Sequence, residues 1–271
     1  MRMLICSDIH FFAPNLHPWQ LFSKESIGNV NALLGINRGF LRSHAETLIG
    51  QISKLDVSHV LILGDFTTTS SKKEFLLSKA FIANLQEKGI TVLALPGNHD
   101  NYTKKAYQEK RFYQMFEDLI DFRGHSPTGC SLKNEKVAAY KITDGFWVVC
   151  LDTTIKTPPF NATGLFDLEL EENLCKVLES IPKEATVALA NHFPLICKKG
   201  EYHALKNRER LHRVLQNYPM VRYYLFGHEH HYEESKIDHL YTLSPGSLTL
   251  KNRASFMILD TNGKVEKHDL V

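Results

Sequence analysis

The chain has 271 residues, of which 43% are hydrophobic and 23% charged, enough apolar material for a sizeable core and too ordinary a charge content for disorder. A formal net charge of +2 gives no electrostatic footprint for nucleic acid, and no segment approaches the roughly 18 consecutive apolar residues of a membrane span. The five cysteines (Cys6, Cys130, Cys150, Cys175 and Cys197) include no C-x-x-C pair, and the N-terminus turns polar by Ser7 and Asp8, too soon for a secretory signal. A reducing, cytoplasmic location without disulfides is expected.

Short β-branched and apolar runs alternate with segments of helical period. Strands are expected at 3–7, 59–63, 90–95, 137–142, 146–151, 186–190, 222–226, 239–243 and 255–259. Several are uninterrupted apolar runs, the pattern of strands covered on both faces. Over 41–55, Leu41, Ala45, Leu48, Ile49, Ile52 and Leu55 recur on one face of a helix. Ser71 with Glu74 forms a capping box for a helix over 72–88, which Gly89 ends. Asp167 caps a helix carrying Leu170, Leu174, Val177 and Leu178, stopped near Pro182. With no internal repeat, low-complexity tract or Gly/Ser/Pro-rich linker, the β-α-β alternation is expected to run from end to end as one α/β domain over 1–271.

The chemistry lies at the ends of the strands. Asp8 and His10 come directly after the first, Asp65 after the second, and Asn98 and His99 after the third, within Pro96-Gly97-Asn98-His99-Asp100. His192 comes after the strand at 186–190, and His228 and His230 after the one at 222–226. Five strand ends thus deliver metal-ligand types to the same edge of the sheet structure, where open α/β sheets place their sites. Asp8 and His10 are two residues apart, as are His228 and His230, so each pair points to one side if its segment is extended. Gly64, Gly97 and Gly227 each precede one of these residues and permit sharp turns and close backbone approach. Taken singly, Asp-x-His is a solvated strand end, Gly-Asp a turn, the Asn98–Asp100 stretch a helix cap, and His228-Glu229-His230-His231 a surface cluster. Chance does not place all of them at strand ends together. A carboxylate bridging two cations about 3.5–4 Å apart is the arrangement of two-metal hydrolytic sites, in which a water between the cations loses a proton near neutral pH and becomes a nucleophile.

Asp8-x-His10, Gly64-Asp65, Gly97-Asn98-His99-Asp100, His192 and Gly227-His228-x-His230 resemble, in order, the five-block signature of calcineurin-like metallophosphoesterases. The resemblance implies a four-layer α-β-β-α sandwich, two mixed sheets face to face with helices outside and the site at strand C-terminal ends. It assigns Asp8, His10, Asp65 and His230 to one cation, and Asp65 (bridging), Asn98, His192 and His228 to a second. His99 becomes the non-ligand histidine that stabilises the transition state or protonates the leaving oxygen, with Asp100 orienting its ring. The implied activity is metal-dependent hydrolysis of a phosphodiester or pyrophosphate bond in a small-molecule phosphate ester (nucleotide, nucleotide-sugar or lipid-linked), by a hydroxide shared between the cations. Imidazole, carboxylate and amide donors without thiolate suit manganese, iron or zinc. A phosphomonoesterase is the alternative; a non-catalytic scaffold fits poorly, since no position of the signature is lost, and 271 residues leave no room for the DNA-handling additions of related nucleases. The chain departs from many phosphodiesterases of the family after Gly64-Asp65, where another Asp or Asn is replaced by Phe66-Thr67-Thr68-Thr69. That weakens any transfer of a cyclic-nucleotide preference.

Residues 11–40 form an insert between the first signature block and the helix at 41–55. It combines Phe11, Phe12, Leu16, Trp19, Leu21 and Phe22 with Lys24, Arg38 and, just beyond it, Arg42. Two readings stay open: an amphipathic segment that simply packs on the domain, the commoner case, and a cap whose apolar surface meets a lipid or nucleobase while its cations hold phosphate, a peripheral membrane contact included. Lys198, Lys199, Arg208 and Arg210 either contact a distal phosphate or are solvated charge, again the commoner case, and Lys104 and Lys105 read the same way. Ser244-Pro245-Gly246-Ser247 is expected to be a structural turn.

Overall fold

The computed structural model describes residues 1–13, 39–158 and 161–270. Leu16, Trp19, Leu21, Phe22, Lys24 and Arg38 of the insert lie outside the described residues. In chain order the strands are β1 (Arg2–Cys6), β2 (His59–Ile62), β3 (Thr91–Ala94), β4 (Val137–Thr143), β5 (Phe146–Leu151), β6 (Gly164–Leu165), β7 (Thr186–Asn191), β8 (Leu205–Lys206), β9 (Val221–Leu225), β10 (Tyr232–Ile237), β11 (Leu240–Pro245), β12 (Ser255–Asp260) and β13 (Val265–Asp269). The α-helices are α1 (Arg42–Gln51), α2 (Lys72–Glu87), α3 (Lys104–Gln108), α4 (Arg111–Phe116), α5 (Leu168–Glu179) and α6 (Arg208–Gln216).

Two mixed sheets carry the fold. One has the order β13-β12-β1-β2-β3, the other β10-β11-β9-β7-β5-β4, and β6 with β8 forms a small parallel pair beside them. The strands that lead into the signature residues, β1, β2 and β3 in the first sheet and β7 and β9 in the second, all pair in parallel, and β5 and β11 extend the parallel part of the second sheet on either side. Their apolar runs are buried on both faces, as β5 illustrates. Phe146, Val148 and Cys150 join the core shared with Leu4, Ile62 and Leu93 of the first sheet. Trp147, Val149 and Leu151 face the other way, into a second core with Leu174 and Val177 of α5 and Leu211 and Leu215 of α6. Leu48 of α1, Phe75 and Ile82 of α2, and Phe112 and Phe116 of α4 cover the first sheet. The layers therefore run helix, sheet, sheet, helix.

Local signals set the helix ends. Ser71 Oγ accepts from the Glu74 amide at 3.3 Å while the Glu74 carboxylate accepts from the Ser71 amide at 3.1 Å, the expected capping box of α2. Gly89 takes φ 79° just past its end. Asp167 caps α5 through the Leu170 amide at 2.9 Å. By contrast, α1 has no side-chain cap. A cap contributes about 1 kcal/mol, whereas burying Leu48 alone contributes about 1.5–3 kcal/mol, so packing holds that helix.

The expected alternation is broken at the antiparallel hairpin of β4 and β5 and fails altogether after β9. There β10 pairs with β11, and β12 with β13, as antiparallel neighbours without an intervening helix. Among the described residues, no helix is long and apolar enough to cross a membrane.

Candidate active site

The C-terminal ends of β1, β2, β3, β7 and β9 open on one edge, but the segments that continue from them are not extended. Asp8 (φ 53°), His10 (φ 48°), Asp65 (φ 54°), His228 (φ 69°) and His230 (φ 59°) all occupy the left-handed region, which corrects the expectation that the paired residues point one way through an extended backbone. That conformation costs an ordinary residue roughly 1–2 kcal/mol, so the surroundings must impose it. The Asp8 amide donates to the Gly64 carbonyl at 3.1 Å and the His10 amide to the Asp65 carbonyl at 2.9 Å. Ser247 Oγ donates to the Asp8 carbonyl at 2.7 Å and Thr249 Oγ1 to the Ile9 carbonyl at 2.6 Å. The Ser244–Ser247 turn is thus structural in a specific way: its end braces the kinked backbone of Asp8 and Ile9.

Glycines let the loops close in. A Cβ on Gly97 would collide with the Asp65 carboxylate, and one on Gly227 with the Ser7 hydroxyl and the Asp8 carboxylate. Crowding of this kind brings the side chains into two groups. Asp8, His10, Asp65 and His230 each present a donor atom within 4.8 Å of the others, and Asp65, His192 and His228 do the same. Asn98 joins the second group, its Oδ1 lying 3.0 Å from His192 Nε2. Asp65 belongs to both. Its Oδ1 accepts from the His99 amide at 2.8 Å, while Oδ2 lies 3.6 Å from His10 Nε2 and 3.4 Å from His192 Nε2. Second partners orient the donors. His192 Nδ1 donates to the Leu63 carbonyl at 2.7 Å, which turns its Nε2 inward, and the Asp8 carboxylate accepts from the His228 amide at 3.0 Å.

Among the described residues, Asp65 Oδ2 and His228 Nε2 are buried with no hydrogen-bond partner. Such orphans are costly unless something else satisfies them. An array of carboxylate, imidazole and amide donors with unsatisfied lone pairs at its centre fits divalent cations. The electrostatics agree. Burial would raise Asp8, but neighbouring His230 outweighs it and holds the carboxyl below the usual range. Burial likewise opposes ionisation of Asp65, and His192, His99 and His10 together hold it well below the normal value. Burial pushes His10 down to about 3, partly offset by Asp65, and pushes His228 well down. Both rings are thereby kept neutral with a lone pair to give. For His192 burial acts downward, but Asp65 overcomes it and the ring rises to about 9.

His99 and Asp100 do not form the expected pair. The Asp100 carboxylate accepts from the amides of Phe66 (3.3 Å), Thr67 (3.0 Å) and Gly97 (3.0 Å) and from the Thr67 hydroxyl (3.0 Å). It ties the loop after β2 to the loop after β3. Burial and nearby Asp65 raise it to about 7 against the pull of these donors. The His99 ring is oriented instead by Nδ1 donating to the Thr68 carbonyl at 2.7 Å and by Tyr102, stacked on it at 5.3 Å between centroids. The Thr67–Thr69 run that departs from the diesterase pattern is therefore occupied in support: Thr67 holds Asp100, Thr68 holds His99, and the Thr69 hydroxyl donates to Glu74 at 3.0 Å.

The sequence profile of the calcineurin-like phosphoesterases matches residues 1–232, the full span of these loops. The chain belongs to that family. Like the family it is a hydrolase of phosphoric esters, and the family uses two metal ions. It is 29% identical over 233 residues to the 3',5'-cyclic adenosine monophosphate phosphodiesterase CpdA of Escherichia coli, covering 85% of this chain and 70% of CpdA. Its fold is similar to a dimetal phosphatase from Danio rerio (TM-score 0.63, 14% identity, 100% and 99% of the two chains). It is similar also to a purple acid phosphatase from yellow lupin, Lupinus luteus (TM-score 0.64, 13% identity), over 99% of this chain and 51% of the lupin one.

Around this phosphoesterase site, the structure adds residues to which the sequence gives no role. Phe40 packs against the rings of His10 (4.5 Å) and His230 (5.6 Å). Glu229, between two signature histidines, turns away to accept from Cys197 Sγ (3.4 Å) and the Lys198 amide (3.2 Å). A charged residue inside Gly-His-x-His was the available signal for it. Of the basic residues noted near His192, Lys198 pairs with Glu233, Arg208 with Glu201 and Glu209, and Arg210 with Glu171. Lys105 pairs with Glu109 at 3.8 Å.

Proposed function

We propose that the protein hydrolyses a phosphodiester or pyrophosphate bond in a small-molecule substrate (nucleotide, nucleotide-sugar or lipid-linked), with two divalent cations of manganese, iron or zinc. Asp8, His10, Asp65 and His230 would hold one, and Asp65, Asn98, His192 and His228 the other. The observation that carries this reading is the shared position of Asp65, whose unsatisfied Oδ2 lies 3.6 Å from His10 and 3.4 Å from His192. When bound, such a cation pair supplies a nucleophilic oxygen at neutral pH and neutralises charge at the phosphorus. The chain's own groups supply the rest. His99, fixed through Nδ1, directs Nε2 away from Thr68 as the proton donor to the departing oxygen. Its backbone amide holds Asp65 at 2.8 Å, coupling the donor's position to that of the shared carboxylate.

Similarity to CpdA supports the diester class. A cyclic-nucleotide preference is not carried over, because the segment after Asp65 differs from the diesterase pattern. A reducing cytoplasm is supported by five free cysteines. The proposal is tested by loading the protein with Mn²⁺ and comparing bis(4-nitrophenyl) phosphate with 4-nitrophenyl phosphate, beside an Asp65→Ala variant. Metal-dependent turnover, faster on the diester and lost in the variant, is expected. Full activity in chelator-stripped protein would overturn the metal reading, and faster turnover of the monoester the diester preference.

A further inference from the structure

Of the four basic residues noted after His192, one is left without a counter-charge among the described residues. Lys198, Arg208 and Arg210 are each neutralised by a carboxylate. Lys199 is exposed, has no carboxylate within ion-pair distance among the described residues, and places Nζ 2.7 Å from the His228 carbonyl oxygen. That bond uses one of three ammonium protons and leaves two directed elsewhere. Beside it stands His203, whose ring centroid lies 5.9 Å from that of His228. His203 is close enough to feel the charges of Lys199, Glu229 and His99, and partial burial together with Lys199 lowers its pKa.

The segment bearing both residues is held in place. Buried Glu229 grips it at Cys197 and Lys198, residues 201–203 form a 3₁₀ turn in which the His203 amide donates to the Gly200 carbonyl at 3.0 Å, and the Ala162 amide donates to the Tyr202 carbonyl at 2.9 Å. A fixed cation beside an imidazole, at the edge of one donor group and within electrostatic reach of His99, is placed for an anion. His99 delivers its proton to the leaving oxygen in the proposed reaction, so this is the leaving-group side.

We infer that Lys199 and His203 form a subsite for a phosphate carried by the leaving group, which makes the preferred substrate a phosphoanhydride of the nucleoside diphosphate type rather than a simple diester. The inference rests on the proposed hydrolase reading. In that hydrolysis the water oxygen bonds to one phosphorus and the P–O bond of the bridge breaks. Its electron pair stays on the departing phosphate, whose bridging oxygen takes the proton from His99. Lys199 and His203 hold the non-bridging oxygens of that departing phosphate.

The test is binding, so that it stands apart from turnover. Calorimetry on Mn²⁺-loaded protein compares adenosine 5'-(α,β-methylene)diphosphate, which cannot be cleaved at the bridge, with adenosine monophosphate. Wild type is expected to bind the diphosphate at least about tenfold more tightly, the scale of one charge-assisted contact. Lys199→Ala should abolish the preference, Lys199→Arg restore most of it, and Lys198→Ala, which removes a neutralised neighbour, leave it intact. Absence of the preference in wild type, or its persistence in Lys199→Ala, overturns the inference. A protein with the preference and without metal-dependent hydrolysis of any ester would instead sink the proposed function while leaving the subsite standing.

Discussion

His10 Nε2 and His230 Nε2 face each other at 3.1 Å, and the Asp8 carboxylate lies 3.3 Å from the latter. At most one proton fits between two such nitrogens. Their lone pairs converge on the space beside Asp8 and Asp65, and a cation drawn there would stabilise the folded state by binding it alone. At a metal concentration a hundredfold above Kd that linkage contributes about 2.7 kcal/mol. Chelator-stripped protein should therefore melt about 5–10 °C below metal-loaded protein. Differential scanning calorimetry with and without Mn²⁺ checks this, and identical melting curves would speak against a resident metal.

His99 and Asp100 should separate cleanly by mutation. His99→Asn is expected to lower kcat by about 10²–10⁴-fold with metal content unchanged. Asp100→Asn turns an amide NH₂ toward donors now satisfied by the carboxylate, at a cost of about 1–3 kcal/mol in stability. It should lower Tm without reshaping the pH profile of kcat. A shifted profile at unchanged Tm would restore Asp100 to the role of orienting His99.

Gly97→Ala tests the crowding of the loops. Its Cβ has no space beside Asp65, so the shared carboxylate must move. Metal content by mass spectrometry should fall below two ions per chain and turnover should drop with it. A Gly97→Ala protein with wild-type metal content would show that the loop after β3 yields at little cost.

A pH effect on stability is expected away from the site. His59, at the start of β2, is half-buried, and burial lowers its pKa below 6.5. The unfolded chain therefore takes up a proton near pH 6.5 that the folded chain resists. This contribution to stability is present above pH 6.5 and is lost as pH falls through the depressed value. His59→Gln should flatten the acidic limb of Tm against pH; an unchanged limb would assign that slope to other groups.

Much of the fold was legible because the site-bearing strands are parallel, four of the five lie inside their sheets, and strands covered on both faces must be apolar throughout. Beside the two-residue pair β6 and β8, the strands with no such signal, β10 and β13, are edges of the two large sheets. Tyr232-Glu233-Glu234-Ser235-Lys236-Ile237 and Val265-Glu266-Lys267-His268-Asp269 are mostly partly or fully exposed, so they carry polar side chains and no apolar run. The residues of the candidate site were legible from their spacing after strands; their backbone was not. Positive φ at Asp8 and His10 depends on partners such as Ser247 and Thr249, some 240 residues away, which no local pattern reveals. The partners of Asp100 were hidden similarly, since three of its four donors belong to Phe66 and Thr67 on another loop.

The two donor groups draw on both sheets. Asp8, His10, Asp65 and Asn98 descend from the first, and His192, His228 and His230 from the second. Neither sheet holds a complete set. The centre therefore behaves as a rivet through two plates: a slip of one sheet across the other by a fraction of an ångström changes every cross-sheet donor distance at once. Substitutions deep in the sandwich, at Val148 or Cys150 for example, touch no donor yet set the alignment of the plates, and catalytic efficiency should register their strain before the fold gives way.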